Sequence, residues 1–268
     1  MIHAVAFPFD AFGSGGTGAG ALLLADVLRE AVDDAAAEEE PTRVAAYTDL
    51  LTVEELAFET PSDVANWRDT GREAFAACSG GEFTVWLAGN HLGVLPVLES
   101  LTAADLVIQL DAHLDCYDLT DTSTELSHGN FMMHLGEERP QVLHLGHRDL
   151  FLPGEATEEH FDAVHSADDF ATDFAGVLQT VAAMSKKAKR VWLDIDADVL
   201  DPSFAPAVQQ PQPFGVTPQQ LLALLHAINT PKFCGVSVSE FDPGRDRNDA
   251  TLQLLAWLVE RVLLLRVE

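Results

Sequence analysis

Seven short, largely apolar runs punctuate this chain, and they restrict its fold more than any other feature. They are His3–Phe7, Arg43–Tyr47, Phe83–Leu87, Leu106–Leu110, Gln141–Leu145, Arg190–Ile195 and Cys234–Val238. A strand with one wet face alternates polar and apolar residues, whereas a strand covered on both faces reads apolar throughout. Between the runs lie helix-like stretches at roughly 19–32, 63–78, 91–100, 129–136, 167–184, 218–228 and 249–265. Repeated β–α alternation predicts an α/β fold, a parallel sheet with helices on both faces. The helix near 218 has the clearest start: Thr217 as cap, Pro218 in the first turn and Gln220 closing a capping box. With 268 residues, 47% of them apolar, the expectation is one catalytic domain over 1–268. Trp192 and Trp257 are expected in its core.

Charge narrows the partners. The chain carries 15 basic against 43 acidic residues, a net charge of −28. Such a surface repels nucleic-acid phosphates and anionic lipids, so neither nucleic acid nor membrane is an expected partner. Four lysines among so many carboxylates suggest a salt-loving host, since screening relieves the self-repulsion. The acidic stretch 33–41 reads as a solvated helix end and loop. No apolar run approaches the ~20 residues that span a bilayer. The first residues lack a basic leader pattern, and three scattered cysteines make no disulfide framework, so the cytoplasm is the expected address. Cys116 is expected to be a packed free thiol. The glycine-rich loop Phe12–Gly20 matches no phosphate-binding spacing and reads as a tight structural turn.

Charge then appears where a strand should end. Leu106–Leu110 is followed by Asp111, His113 and Asp115 at every second position. If the chain stays extended, all three project one way. In an open parallel sheet, ligands gather beyond the carboxyl ends of the strands. Asp194, Asp196 and Asp198 repeat the pattern after Arg190–Ile195, and Ala88-Gly89-Asn90-His91 closes a third run. Carboxylates aimed together repel unless cations sit among them. Hard oxygen donors mixed with two imidazoles suit Mn²⁺ foremost, ahead of Fe, Co, Ni or Zn. Two ions sharing carboxylates can also activate water at neutral pH.

These segments resemble the ureohydrolase family, the arginases, agmatinases and their relatives, almost end to end. Asp111-Ala112-His113-Leu114-Asp115 matches the family's Asp-Ala-His-x-Asp, and Ala88–His91 resembles its Gly-Gly-Asp-His. Asp196-Ala197-Asp198-Val199-Leu200-Asp201-Pro202 with Pro206 resembles its long Asp-x-Asp signature. Ser127-His128-Gly129 and Glu240-Phe241-Asp242-Pro243 match two more motifs. The resemblance implies a three-layer α/β/α fold with a mainly parallel, roughly eight-stranded sheet, assembled as homotrimers or homohexamers. It implies two Mn²⁺ ions per subunit, one held by His91, Asp111, Asp115 and Asp196, the other by His113, Asp111, Asp196 and Asp198. The implied reaction splits a cationic guanidino compound into urea and an amine. Asp115 would stabilise the tetrahedral intermediate, His128 would give the leaving amine its proton, and Glu240 would pair with the guanidinium. Two departures stand out. Asn90 replaces an Asp, so a hydrogen bond from it to His91 would be neutral. Asp194 replaces a frequent Ser and reads as supporting a ligand from one strand step behind. Asp201 reads as bracing its loop.

Substrate choice is read from neighbouring positions. Arginases hold the amino-acid end of arginine through an Asn where this chain has Tyr117, and through an Asp where it has Phe151. Both contacts are absent, which points to agmatine or another decarboxylated guanidino compound. Asp118 and Asp121 are candidates for meeting a distal ammonium. Arginase, guanidinobutyrase and formimidoylglutamase activities are the alternatives within the family, although His128 argues against the last. Outside it stand a deacetylase-type hydrolase with a single ion and a metal-binding relative without turnover.

Overall fold

Eight strands pair in one sheet: β1 (Ile2–Phe7), β2 (Leu51–Glu55), β3 (Phe83–Ala88), β4 (Leu106–Leu110), β5 (Gln141–His147), β6 (Ala163–Ser166), β7 (Val191–Asp196) and β8 (Phe233–Ser239). The structure is a computed structural model and describes residues 1–78, 80, 82–118 and 125–268. Every pairing is parallel, and the order is β2-β1-β3-β8-β7-β4-β5-β6. The central strands are buried along both faces, as their largely apolar character leads one to expect, with Thr84, Gln109, Asp194 and Asp196 as the buried polar exceptions.

Helices cover both faces and make the fold three-layered. Gly18–Ala37, Phe174–Lys187, Pro218–Ile228 and Ala250–Val267 pack their apolar stripes on one face, around Leu24, Val181, Leu224 and Leu258. Trp67–Cys78 and Leu95–Ser100 cover the other, where Phe75, Trp86 and Trp192 meet edge to face. The capping box at Thr217 and Gln220 forms as expected. Among the described residues no helix is long and apolar enough to cross a membrane.

Four expectations need correction. Arg43–Tyr47 is not a strand. Ala45–Thr48 forms a single helical turn that buries Tyr47, and the strand that pairs with β1 is Leu51–Glu55. β6 and the helix Gly154–His160 were not foreseen; neither offers a long apolar run. The helix expected at 129–136 shrinks to a 3₁₀ turn, Phe131–His134, because Phe131 and Met132 are buried side by side instead of at helical spacing. Trp192 is core, but Trp257 is 51% exposed on the last helix.

Candidate metal centre

The carboxyl ends of four neighbouring strands, β3, β8, β7 and β4, converge on one small region. β3 ends in the turn that carries His91, β4 leads to Asp111, β7 brings Asp194 and Asp196, and β8 ends before Glu240. The chain does not stay extended after β4. It leaves the sheet at Leu110, and loop contacts gather the groups instead. Asp111 donates its N–H to Leu145, Arg148 donates its N–H to Ala112, and the Ala112 N–H donates to Asp198 Oδ1. Asp115 and Glu240 hold left-handed backbone angles, φ 46° and 63°. Non-glycine residues pay about 1–2 kcal/mol for that conformation, a strain that clusters at functional sites.

Two groups of donors result. His91 Nδ1 lies 3.1 Å from Asp111, 3.0 Å from Asp115 and 3.2 Å from Asp196. His113 Nδ1 lies 2.9 Å from Asp198 and 3.7 Å from the other oxygen of Asp111. Asp111 therefore serves both groups, one oxygen to each. Asp196 turns Oδ2 to the first group, while its Oδ1 accepts the Asp198 N–H. On the far side of His91, Nε2 meets Asp194 at 2.9 Å. Asn90 takes no part in this. Its amide donates to the Ala11 carbonyl, so the expected contact with His91 is made by Asp194 instead.

Electrostatics decide what this cluster can hold. Asp111, Asp115, Asp194, Asp196 and Asp198 are all buried, and among the described residues no Lys or Arg pairs with any of them. Burial, then the Asp115 charge, pushes Asp111 up to about 7. Burial and Asp198 hold Asp196 well above the usual carboxylate range. Burial works to depress both imidazoles but is overcome: Asp198 lifts His113 to about 10, and Asp194 with Asp111 and Asp115 holds His91 well above its ordinary value. The protein thus retains protons where positive charge is in short supply. His91 Nδ1 and Asp111 Oδ2 are buried and facing, yet neither has a hydrogen-bond partner among the described residues. Orphaned donors of this kind, oxygen and imidazole together, fit divalent cations.

Above the cluster opens a cavity of about 100 Å³, lined by Ser14, His113, Asp115, Tyr117, His128, Gly129, Asp196, Asp198, Gln210 and Glu240. Glu240 accepts the His91 backbone N–H at 2.9 Å and lies 3.3 Å from His128 Nδ1. Burial would depress His128, but Glu240 raises it. Tyr117 donates to Asp149 and accepts from the Leu114 N–H, which pins its ring at the wall. Asp118 is exposed, Phe151 is 80% exposed, and neither lines the cavity. Asp121 lies outside the described residues. Cys116 is a buried free thiol, and Asp201 accepts from Ser203 and Gly215 as a loop brace. The glycine-rich loop is indeed a turn, tied by Gly16 and Gly18 N–H groups to Asp10. It also walls the site: Ser14 Oγ reaches His128 Nδ1 at 3.5 Å. Gln212, 2.8 Å from His113 Nε2, and Gln109, beside His91 and Asp194, were not anticipated either. Glutamines carry no charge pattern, and only the fold brings them in.

Comparison with known proteins identifies a family and a shared fold. The family model described as "Arginase family" matches residues 2–265. Arginase 1, mitochondrial, of Arabidopsis thaliana is 28% identical over 188 residues, 68% of this chain and 54% of that protein. The chain spans about half the length of the curated relatives it matches first. Among solved structures, the agmatine ureohydrolase of Thermoplasma volcanium superposes with a TM-score of 0.74 at 24% identity, covering 99% of this chain and 88% of that one. Formimidoylglutamase from Bacillus subtilis superposes at 0.78 with 19% identity, covering 99% and 86%.

Proposed function

This chain belongs to the arginase family, and from that premise we propose that it is a dinuclear-manganese amidinohydrolase, agmatinase-like, cleaving a guanidino compound to urea and an amine. One observation carries the reading: five buried carboxylates converge on two imidazoles, and among the described residues no Lys or Arg makes an ion pair with any of them, Arg148 reaching only the Asp198 backbone carbonyl. His91, Asp111, Asp115 and Asp196 would hold one ion, and His113, Asp111, Asp196 and Asp198 the other. When bound, the ions would neutralise the cluster and supply the Lewis acidity that activates water. His113 would then carry its hydrogen on Nε2, and Gln212 would turn its amide oxygen to accept it.

The chain's own groups supply the rest. Glu240 would receive the planar guanidinium, whose charge and fork geometry a carboxylate matches. Asp115 would hydrogen-bond the tetrahedral centre. His128, whose hold on a proton Glu240 strengthens, would hand that proton to the leaving amine. The described lining offers no Lys or Arg to receive a substrate carboxylate, which favours agmatine or a similar decarboxylated compound over arginine. We propose further that the enzyme is a cytoplasmic homotrimer or homohexamer adapted to high salt.

The test is urea release across a panel of guanidino compounds, with added Mn²⁺, at low and multimolar salt. Agmatine should give the highest kcat/KM. Bound metal without urea from any compound would favour a non-catalytic relative. A single ion bound without His91 and Asp115 would favour the deacetylase-type alternative.

A further inference from the structure

We propose that Asp194 is a positioning residue that fixes the tautomer and orientation of His91 and thereby sets the affinity of one ion only. The inference rests on the metal-centre reading above. Asp194 Oδ2 lies 2.9 Å from His91 Nε2, and the carboxylate is completely buried. A carboxylate only accepts, so Nε2 must carry the hydrogen. In the neutral imidazole, the form that can bind a cation, the lone pair then falls on Nδ1, the atom that faces Asp111, Asp115 and Asp196.

The carboxylate is itself held from both neighbouring strands. Ser237 stands opposite Asp194 across β7 and β8, and its hydroxyl donates to Asp194 Oδ1 at 2.6 Å. The Trp192 indole N–H in turn donates to Ser237 Oγ at 2.9 Å, which fixes the direction of that hydroxyl. Gln109 stands opposite on β4, with its amide nitrogen 3.4 Å from Asp194 Oδ2 and its oxygen 3.0 Å from His144 Nδ1. These contacts hold Asp194 in place, and no Lys or Arg competes for it among the described residues. His113, by contrast, has Gln212 at its outer nitrogen, a neutral partner. The two imidazoles are therefore supported unequally, one by a charge and one by an amide.

The experiment is Mn²⁺ titration of chelator-stripped protein by calorimetry, with metal content and low-temperature EPR of the loaded forms. Wild type should take two ions and show a coupled pair. Asp194→Asn, which keeps an acceptor but loses the charge, should bind one ion roughly 10–100-fold more weakly and the other within about threefold. Asp194→Ala should lose more at the same ion, and at one equivalent both variants should show an uncoupled, mononuclear spectrum. Unchanged affinities would overturn the inference, as would equal weakening of both ions, which would mark a merely structural role. If neither Asp194 variant folds, Ser237→Ala decides. A loss of about threefold confined to one ion supports the inference, and no loss overturns it. Wild type that binds no Mn²⁺ would overturn both this inference and the metal-centre reading, whereas two ions in wild type with unaltered variants would overturn this inference alone.

Discussion

Gly89→Ala should be among the most damaging single-methyl additions near the site, and its cost can be worked from the packing. A Cβ at Gly89 would stand 2.3 Å from the Phe9 carbonyl oxygen and 3.2 Å from the Gly18 Cα. Ordinary contact begins at roughly 3.4 Å, so the two backbones must part by about 1 Å. The Phe9 carbonyl cannot simply turn aside, because it accepts the Asn90 N–H at 3.0 Å. Gly89 itself is tied on both sides, its N–H donating to Phe7 at 2.9 Å and its carbonyl accepting from Glu240 at 2.8 Å. Overpacking against backbone costs about 1–3 kcal/mol, and a weakened hydrogen bond adds about 0.5–1.5 kcal/mol. The sum is near 3 kcal/mol, which lowers Tm by about 6–12 °C in a chain of this size. Thermal melting followed by circular dichroism in multimolar KCl measures it. Gly15→Ala is the control, since nothing lies within 4 Å of its added methyl; it should change stability by less than about 1 kcal/mol. A Gly89→Ala variant that melts within about 1 °C of wild type would refute the claim that close backbone approach sets the turn carrying His91.

Three further outcomes are expected. Asp115→Ala should abolish nearly all urea release and reduce Mn²⁺ content in elemental analysis; full metal with full turnover would sink the assignment. Burial, then His147 and His91, hold His144 well below its ordinary value, so the unfolded chain takes up that proton first as pH falls through about 6.5. Stability should therefore drop below that pH by up to about 1.4 kcal/mol per unit, and the difference between the wild-type and His144→Gln denaturation curves should show it. Asp105 is buried and accepts from Arg190 Nε and Nη2 and from Thr102 N and Oγ1. Asp105→Asn should cost about 1.5–3 kcal/mol in urea unfolding without altering Mn²⁺ affinity.

The strands that flank the site were legible because they are buried on both faces, so apolar character survives without any periodicity. β2 and β6 were not, because LTVEE is half exposed at the sheet edge and AVHS is too short to stand out. Arg43–Tyr47 misled for the opposite reason: an apolar run next to an edge can bury one aromatic through a helical turn. The ligand candidates were legible in type and order, since carboxylates and imidazoles have no cheap reason to end a buried strand. Their convergence was legible for the wrong reason at Asp115, where a left-handed backbone angle and not strand alternation places the group. The partner of His91 could not be read from Asn90, because the direction of a turn side chain depends on a carbonyl 79 residues away.

The donors come from strand ends that are neighbours in space but distant along the chain, His91 and Glu240 standing 149 positions apart. Parallel pairings between remote segments form slowly, since each must first close a long loop. Mutual repulsion among unneutralised acids opposes that closure further. Manganese uptake would thus act as a clock for maturation: binding capacity should appear only in the last kinetic phase of refolding, after most helical signal has returned.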